Sequence, residues 1–213
     1  MCRLLSIAGK PKDITAKELL GKFKRLAEFG NVPPKTPKGH KDGWGLVFYA
    51  KNKPPRLFRA IKDAYASAGY NTAAKKISTT KHSVLIGHLR KSSVGAKRLA
   101  NTQPFMKRGY AFAHNGTIFD SKKITLKSFG KNFLKGDTDS ERFFALILQN
   151  LFYSKKKDLQ QALLSAVALA QKSFNYTALN LILSDGKDIF ALREINADTK
   201  DKRLLNYYSL FVG

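Results

Sequence analysis

Apolar positions along this chain switch repeatedly between a strand-like and a helix-like spacing. Residues 3–8 are a short, mainly apolar run closed by Gly9, the pattern of a buried strand. Thr15-Ala16-Lys17-Glu18 is a capping-box pattern, followed by Leu19, Leu20, Phe23, Leu26 and Ala27 at helical spacing and by Gly30 as a stop. Residues 31–43, with Pro33-Pro34, Pro37, Gly39 and Gly43, read as a loop. Strands are predicted over 44–50 and 56–61, a helix over 63–79, and strands over 83–89 and 109–114. A second capping box, Thr138-Asp139-Ser140-Glu141, opens a strongly apolar helix through Phe152, and another helix follows over 158–173. Runs at 177–183, 188–194 and 205–212 read as three closing strands. Strands, then helices, then strands predict an α+β fold of two mainly antiparallel sheets with helices outside, not a parallel doubly wound one.

No linker, low-complexity tract or repeat interrupts the pattern, so residues 1–213 read as a single domain. The final Tyr207-Tyr208-Ser209-Leu210-Phe211-Val212-Gly213 has no polar tail. It reads as a strand tucked into a sheet, or as a chain short of its natural end. Hydrophobic residues make up 43%, enough for a substantial core. No run of 18 apolar residues occurs, so no membrane span is expected. The net charge of +24 raises the question of nucleic acid. The basic residues are spread along the whole chain, however, and their one tight cluster, Lys155-Lys156-Lys157, falls between two helical patterns. No nucleic-acid recognition signature accompanies them, so a solvated basic surface is the better reading.

The single cysteine is Cys2. It allows no internal disulfide, which suits a reducing, cytoplasmic setting. Aminopeptidases remove an initiator Met when the next side chain is small. The chain would then begin with a residue carrying both a thiol and an α-amine, whose ordinary pKa is about 7.7–8.0. Such an amine can take the proton of its own nucleophile. Four loop-edge motifs accompany Cys2: His40-Lys41-Asp42-Gly43-Trp44-Gly45; Gly87-His88-Leu89-Arg90 followed by Lys91-Ser92-Ser93-Val94-Gly95; His114-Asn115-Gly116-Thr117; and Gly136-Asp137-Thr138-Asp139. A thiolate attacking an amide needs donors aimed at the developing oxyanion. The Asn115 amide and the Gly116 N–H can supply them, although Asn-Gly alone reads first as a hairpin turn. Arg90 can grip a carboxylate, and Asp139 an ammonium, with Asp137 second in line. Thr138 reads as the helix cap, and Asp42 and Trp44 as a turn or wall. The four histidines lack metal-ligand spacing.

Together these motifs resemble the class II glutamine amidotransferases, a branch of the N-terminal-nucleophile hydrolases, from Cys2 to about residue 150. The stand-alone branch of that family is the most similar, through Met1–Leu4, Asp42–Gly45, His88–Arg90, His114–Gly116 and Thr138–Glu141. The resemblance implies a four-layer αββα sandwich. It implies Cys2 as nucleophile, Asn115 and Gly116 as oxyanion hole, and Arg90, Asp139, His88, Ser93 and Thr138 as the substrate-binding set. It implies no cofactor or metal. The substrate would be glutamine or a γ-glutamyl compound, passing through a γ-glutamyl thioester. Ammonia would go to a separate synthase subunit, or water would be the final acceptor. Two positions depart from the family pattern and are expected at the rim: Gln103, where a His is common, and Lys91, where synthase-linked members carry an aromatic residue. A basic nucleic-acid-binding protein and a catalytically silent structural partner are the alternatives on the same scaffold.

Overall fold

The computed structural model describes residues 2–9, 16–32, 36–127, 129, 133–196 and 201–212. Met1 and Thr15 fall outside them, so neither the processing of Met1 nor the first capping box is addressed.

Among the described residues, eight strands form two antiparallel sheets. The first contains β1 (Arg3–Ala8), β2 (Trp44–Tyr49), β3 (Arg56–Ala60) and β4 (Val84–Leu89), in the order β1-β4-β2-β3. The second contains β5 (Phe105–Lys107), β6 (Tyr110–Asn115), β7 (Asn180–Ser184) and β8 (Ile189–Leu192), in chain order. Alternation along the strands builds three apolar layers. Leu46, Phe48, Leu85 and Leu89 face helices α1 (Ala16–Phe29) and α2 (Ala68–Ser78), meeting Leu20, Phe23, Tyr70 and Ile77. Val47, Tyr49, Val84 and Ile86 face the other sheet, meeting Ala111, Ala113 and Ile182. Phe112, Leu181 and Leu183 face α3 (Asp139–Tyr153) and α4 (Leu159–Ser173), meeting Phe143, Phe144, Ile147 and Leu163. This is the expected helix–sheet–sheet–helix order.

Side-chain caps set the helix starts. Thr138 accepts from the Glu141 N–H, one half of the second capping box, while the Glu141 carboxylate accepts instead from the Lys135 and Gly136 N–H groups; Asp158 accepts from the Gln161 N–H. The helix expected from residue 63 begins only at Ala68, because Ser67 accepts from the Tyr70 N–H and fixes the entry there. A three-residue strand, β5, was too short to show a period in the sequence. Residues 205–212 are not a strand. Asp201 caps α5 (Lys202–Tyr207) by accepting from the Arg203 N–H, and residues 208–212 then run on without regular structure. The aromatic run that suggests a strand instead divides between two jobs. Tyr208 is buried, while Phe211 and Val212 are exposed. Among the described residues no helix is long and apolar enough to cross a membrane.

Candidate active site

Cys2 lies just ahead of β1, whose Arg3 pairs with Leu89 in β4, and is only 8% exposed. Three contacts hold it. Its backbone nitrogen donates to Asn115 Oδ1 at 2.7 Å. Its Sγ sits against the backbone of Lys91, 3.5 Å from the N–H and 3.6 Å from the carbonyl oxygen. Its carbonyl accepts from the Tyr207 hydroxyl at 3.2 Å.

Asn115 is the last residue of β6, opposite Asn180 of β7. The chain does not reverse here as a two-residue hairpin. It continues, and Ile118 bridges to Tyr176. Gly116 is needed for close approach: a Cβ there would overlap the Ala178 carbonyl oxygen. With Oδ1 held by Cys2, the Asn115 amide nitrogen keeps two protons to donate. It finds no acceptor among the described residues.

Arg90 is buried, and its guanidinium is engaged by its own following segment. It donates to Ser92 Oγ and to the carbonyls of Val94, Gly95 and Ala96, at 3.1–3.3 Å. Asp42 fastens the same segment, accepting from the Ser92 N–H at 2.9 Å and pairing with Lys97 at 3.3 Å. Ser93 Oγ meets Thr117 Oγ1 at 3.2 Å, tying this segment to the turn after Asn115. Asp139 is buried, with Oδ2 accepting from the Ile118 N–H at 2.8 Å. Asp137 is committed elsewhere, accepting from Asn101 at 2.6 Å and pairing with Arg98 at 3.2 Å.

The candidates divide between two cavities of about 830 Å³ each. Ser93, Thr117, Asp137 and Thr138 line one; Cys2, Arg3, Asn115, Asn180 and Tyr207 line the other. The Asn115–Thr117 segment runs between them, with Thr117 on the first and Asn115 on the second. Arg90, His88 and Asp139 line neither. Trp44 is no wall of the site: it packs among the α1 and α2 residues and donates to Ser67 Oγ. Gln103 is not at a rim. It is buried, and its Oε1 accepts from the His114 N–H at 2.6 Å, bracing β6 one residue before Asn115. Lys91, in contrast, touches Cys2 Sγ directly through its backbone. Sequence reasoning missed Thr117, Asn101, Gln103 as a brace, and Tyr207. Only Thr117, which follows Asn-Gly directly, could have been suspected from its position.

Three histidines are fully buried and held neutral. His88 lies between the sheets, and both its ring nitrogens lack partners among the described residues. Burial, reinforced by the Arg90 charge, pushes its pKa well below the usual value. Burial also lowers His114, opposed by the Asp139 carboxylate. His114 donates from Nε2 to the Ala178 carbonyl, which leaves Nδ1 to accept from Ser140 Oγ at 2.9 Å. His40 is lowered to about 4 by burial and then by Arg3. In each case the folded pKa lies below the unfolded value near 6.5, so the unfolded chain binds more protons below that pH. Stability is therefore expected to fall as pH drops from about 6.5 toward 5, by up to about 1.4 kcal/mol per pH unit for each titrating imidazole. Urea unfolding at constant ionic strength checks this. A midpoint that stays flat over that window would mean the imidazoles protonate freely in the fold.

A family model described as class-II glutamine amidotransferases matches residues 1–205. An uncharacterised protein of Methanocaldococcus jannaschii is 27% identical over 91% of this chain and 51% of its own length. A probable glutamine amidotransferase of Saccharomyces cerevisiae is 29% identical over 78% of this chain and 55% of its own. The chain thus spans about half the length of these curated relatives. Among solved structures, a predicted glutamine amidotransferase from Pseudomonas aeruginosa PA01 superposes with a TM-score of 0.51 at 26% identity, over 76% of this chain and 64% of that one. The glutamine phosphoribosylpyrophosphate amidotransferase of B. subtilis superposes with a TM-score of 0.60 over 89% of this chain and 36% of that one. At 14% identity it shows a shared fold.

Proposed function

The chain belongs to the class II glutamine amidotransferases, and from that premise we propose that it cleaves the γ-amide of glutamine or of a γ-glutamyl compound, with Cys2 as nucleophile. The observation that carries this reading is the grip on Cys2: its nitrogen on the Asn115 amide at 2.7 Å and its thiol on the Lys91 backbone. Removal of Met1 turns that same nitrogen into an α-amine. The amine takes the thiol proton, and Sγ attacks the amide carbon. Asn115 Nδ2 and the Gly116 N–H receive the oxyanion. The C–N bond then breaks, the α-ammonium returns its proton to the leaving nitrogen, and a γ-glutamyl thioester remains. Water, deprotonated by the same amine, hydrolyses it to glutamate.

Arg90 would hold the substrate carboxylate by exchanging neutral carbonyl contacts of residues 94–96 for a charged partner, which binds more strongly. Asp139 would receive the ammonium on Oδ1, which has no partner among the described residues. Ser93 and Thr138 would line the glutamyl side, while His88 acts from beneath as packing. Asp139→Asn keeps an acceptor for the Ile118 N–H but removes the charge. The expected result is a KM for glutamine raised about tenfold or more with kcat less affected. An unchanged KM removes Asp139 from the ammonium role.

A leaving group larger than ammonia is a second reading, favoured by one feature. Cys2 and Asn115 open onto a cavity of about 830 Å³, far more than ammonia needs. Comparing kcat/KM for glutamine with that for γ-glutamyl amides of bulkier amines separates the two. A preference for glutamine, with free ammonia poorly retained, points instead to a partner synthase that accepts it.

The direct test is intact-mass analysis before and after treatment with diazo-oxo-norleucine, a glutamine-shaped electrophile. The expected result is a chain lacking Met1 with one adduct on Cys2, blocked by excess glutamine. Retained Met1 and no adduct would leave the thiol without its base and sink the proposal.

A further inference from the structure

We infer that Tyr207 is a positioning residue for the nucleophile, its hydroxyl fixing the Cys2 carbonyl so that amine and thiol stay aligned on the site. This rests on the reading of Cys2 as an N-terminal nucleophile. The contact spans almost the whole chain: Tyr207 Oη donates to the Cys2 carbonyl oxygen at 3.2 Å.

A terminal residue has no preceding peptide to hold it. Here the ladder with β4 begins only at Arg3. Once Met1 is gone, Cys2 is held at three atoms: its nitrogen by Asn115, its sulfur by Lys91, its carbonyl by Tyr207. Nitrogen and sulfur both turn about Cα. The carbonyl contact adds the third point that fixes the orientation of the residue.

Tyr207 has one neighbour on its ring and another at its hydroxyl. The Arg3 guanidinium lies over its ring, 4.2 Å from the centroid. His40 Nε2 is 3.4 Å from its hydroxyl, and His40 Nδ1 is 3.1 Å from the Leu26 carbonyl of α1. That carbonyl can only accept, so Nδ1 carries the proton of the neutral ring and Nε2 is an acceptor. The single Tyr207 proton then serves either Nε2 or the Cys2 carbonyl, and the carbonyl is the shorter contact. Burial pushes the Tyr207 phenol well above its usual pKa, so it remains a donor at working pH. The neighbouring Tyr208 pins the end of α5. Its carbonyl accepts from Asn180 at 2.9 Å and Arg193 at 3.2 Å, and its hydroxyl reaches Thr177 at 3.3 Å. The nucleophile is thus set by a helix from the far end of the chain.

The test is Tyr207→Phe, which keeps the ring over which Arg3 stacks and removes only the hydroxyl. Two readouts are taken: steady-state turnover of glutamine, and alkylation of the single cysteine by iodoacetamide from about pH 6 to 9. The expected result is kcat lowered about tenfold with KM changed less than about twofold. Alkylation should change in rate as Sγ loses its fixed place against the Lys91 backbone, with the melting transition unmoved. If the wild type turns over glutamine and Tyr207→Phe matches it in kcat and alkylation, the inference is overturned. If the wild type turns over neither glutamine nor γ-glutamyl amides while Tyr207→Phe still changes the alkylation rate, the positioning role stands and the proposed reaction falls.

Discussion

Replacing Cys2 by Ala is expected to abolish turnover, by on the order of 10⁴-fold or more, while leaving the fold intact. Cys2 lies outside the strand ladder, which begins at Arg3. Its side chain contributes one sulfur, and its backbone contacts to Asn115 and Tyr207 do not depend on that atom. Loss of stability should therefore stay within about 1 kcal/mol. No other thiol exists in the chain to substitute for it. None of the three deeply buried histidines is poised to attack: His88 is enclosed between the sheets, and His40 and His114 are tied to carbonyl groups. Turnover assays together with thermal melts check both halves of the expectation. A Cys2→Ala variant with wild-type turnover would end the nucleophile assignment. A variant that is inactive because it fails to fold would show the residue to be structural.

The second large effect is expected at Asn115. Asn115→Ala removes both the acceptor for the Cys2 nitrogen and the proposed oxyanion donor, and kcat should fall by about 10²- to 10³-fold. Asn115→Asp separates the two roles. It keeps an acceptor for the Cys2 nitrogen but replaces the amide donor with a negative charge facing the oxyanion. If oxyanion stabilisation is the main role, the Asp variant should be at least as impaired as the Ala variant. If Asn115 serves only to anchor Cys2, the Asp variant should retain most activity. Glutamine kinetics on both, with cysteine labelling to report whether Cys2 is still in place, distinguish these results.

Much of the architecture was legible along the chain, because local rules and tertiary packing agree there. Apolar, β-favouring runs over 44–50 and 83–89 marked strands that place one face against helices and the other against a second sheet. The caps at Thr138 and Asp158 are local hydrogen bonds between near neighbours, so they act before any tertiary contact forms. The C-terminal segment was misread because its aromatic residues satisfy a strand pattern, while the Asp201 cap and the burial of Tyr208 select a short helix. The start of α2 was misplaced because apolar spacing alone does not distinguish a helix from the turn that precedes its Ser67 cap.

For the candidate site, the sequence by itself determined which chemical groups are present: one thiol at position 2, an Asn-Gly pair at a strand end, and an acid at a helix start. Their family membership follows from the same motifs. Tertiary structure alone decided how those groups are engaged. It turned Arg90 inward onto its own loop, buried Gln103 against His114, removed Trp44 to the helix layer, and brought Tyr207 to the Cys2 carbonyl. These partners lie in different elements, many of them dozens of residues apart. A hydrogen bond between such residues leaves no periodicity or local spacing in the chain. It exists only where packing of the two sheets and their helices excludes water and leaves each buried polar group to find a donor or acceptor within reach.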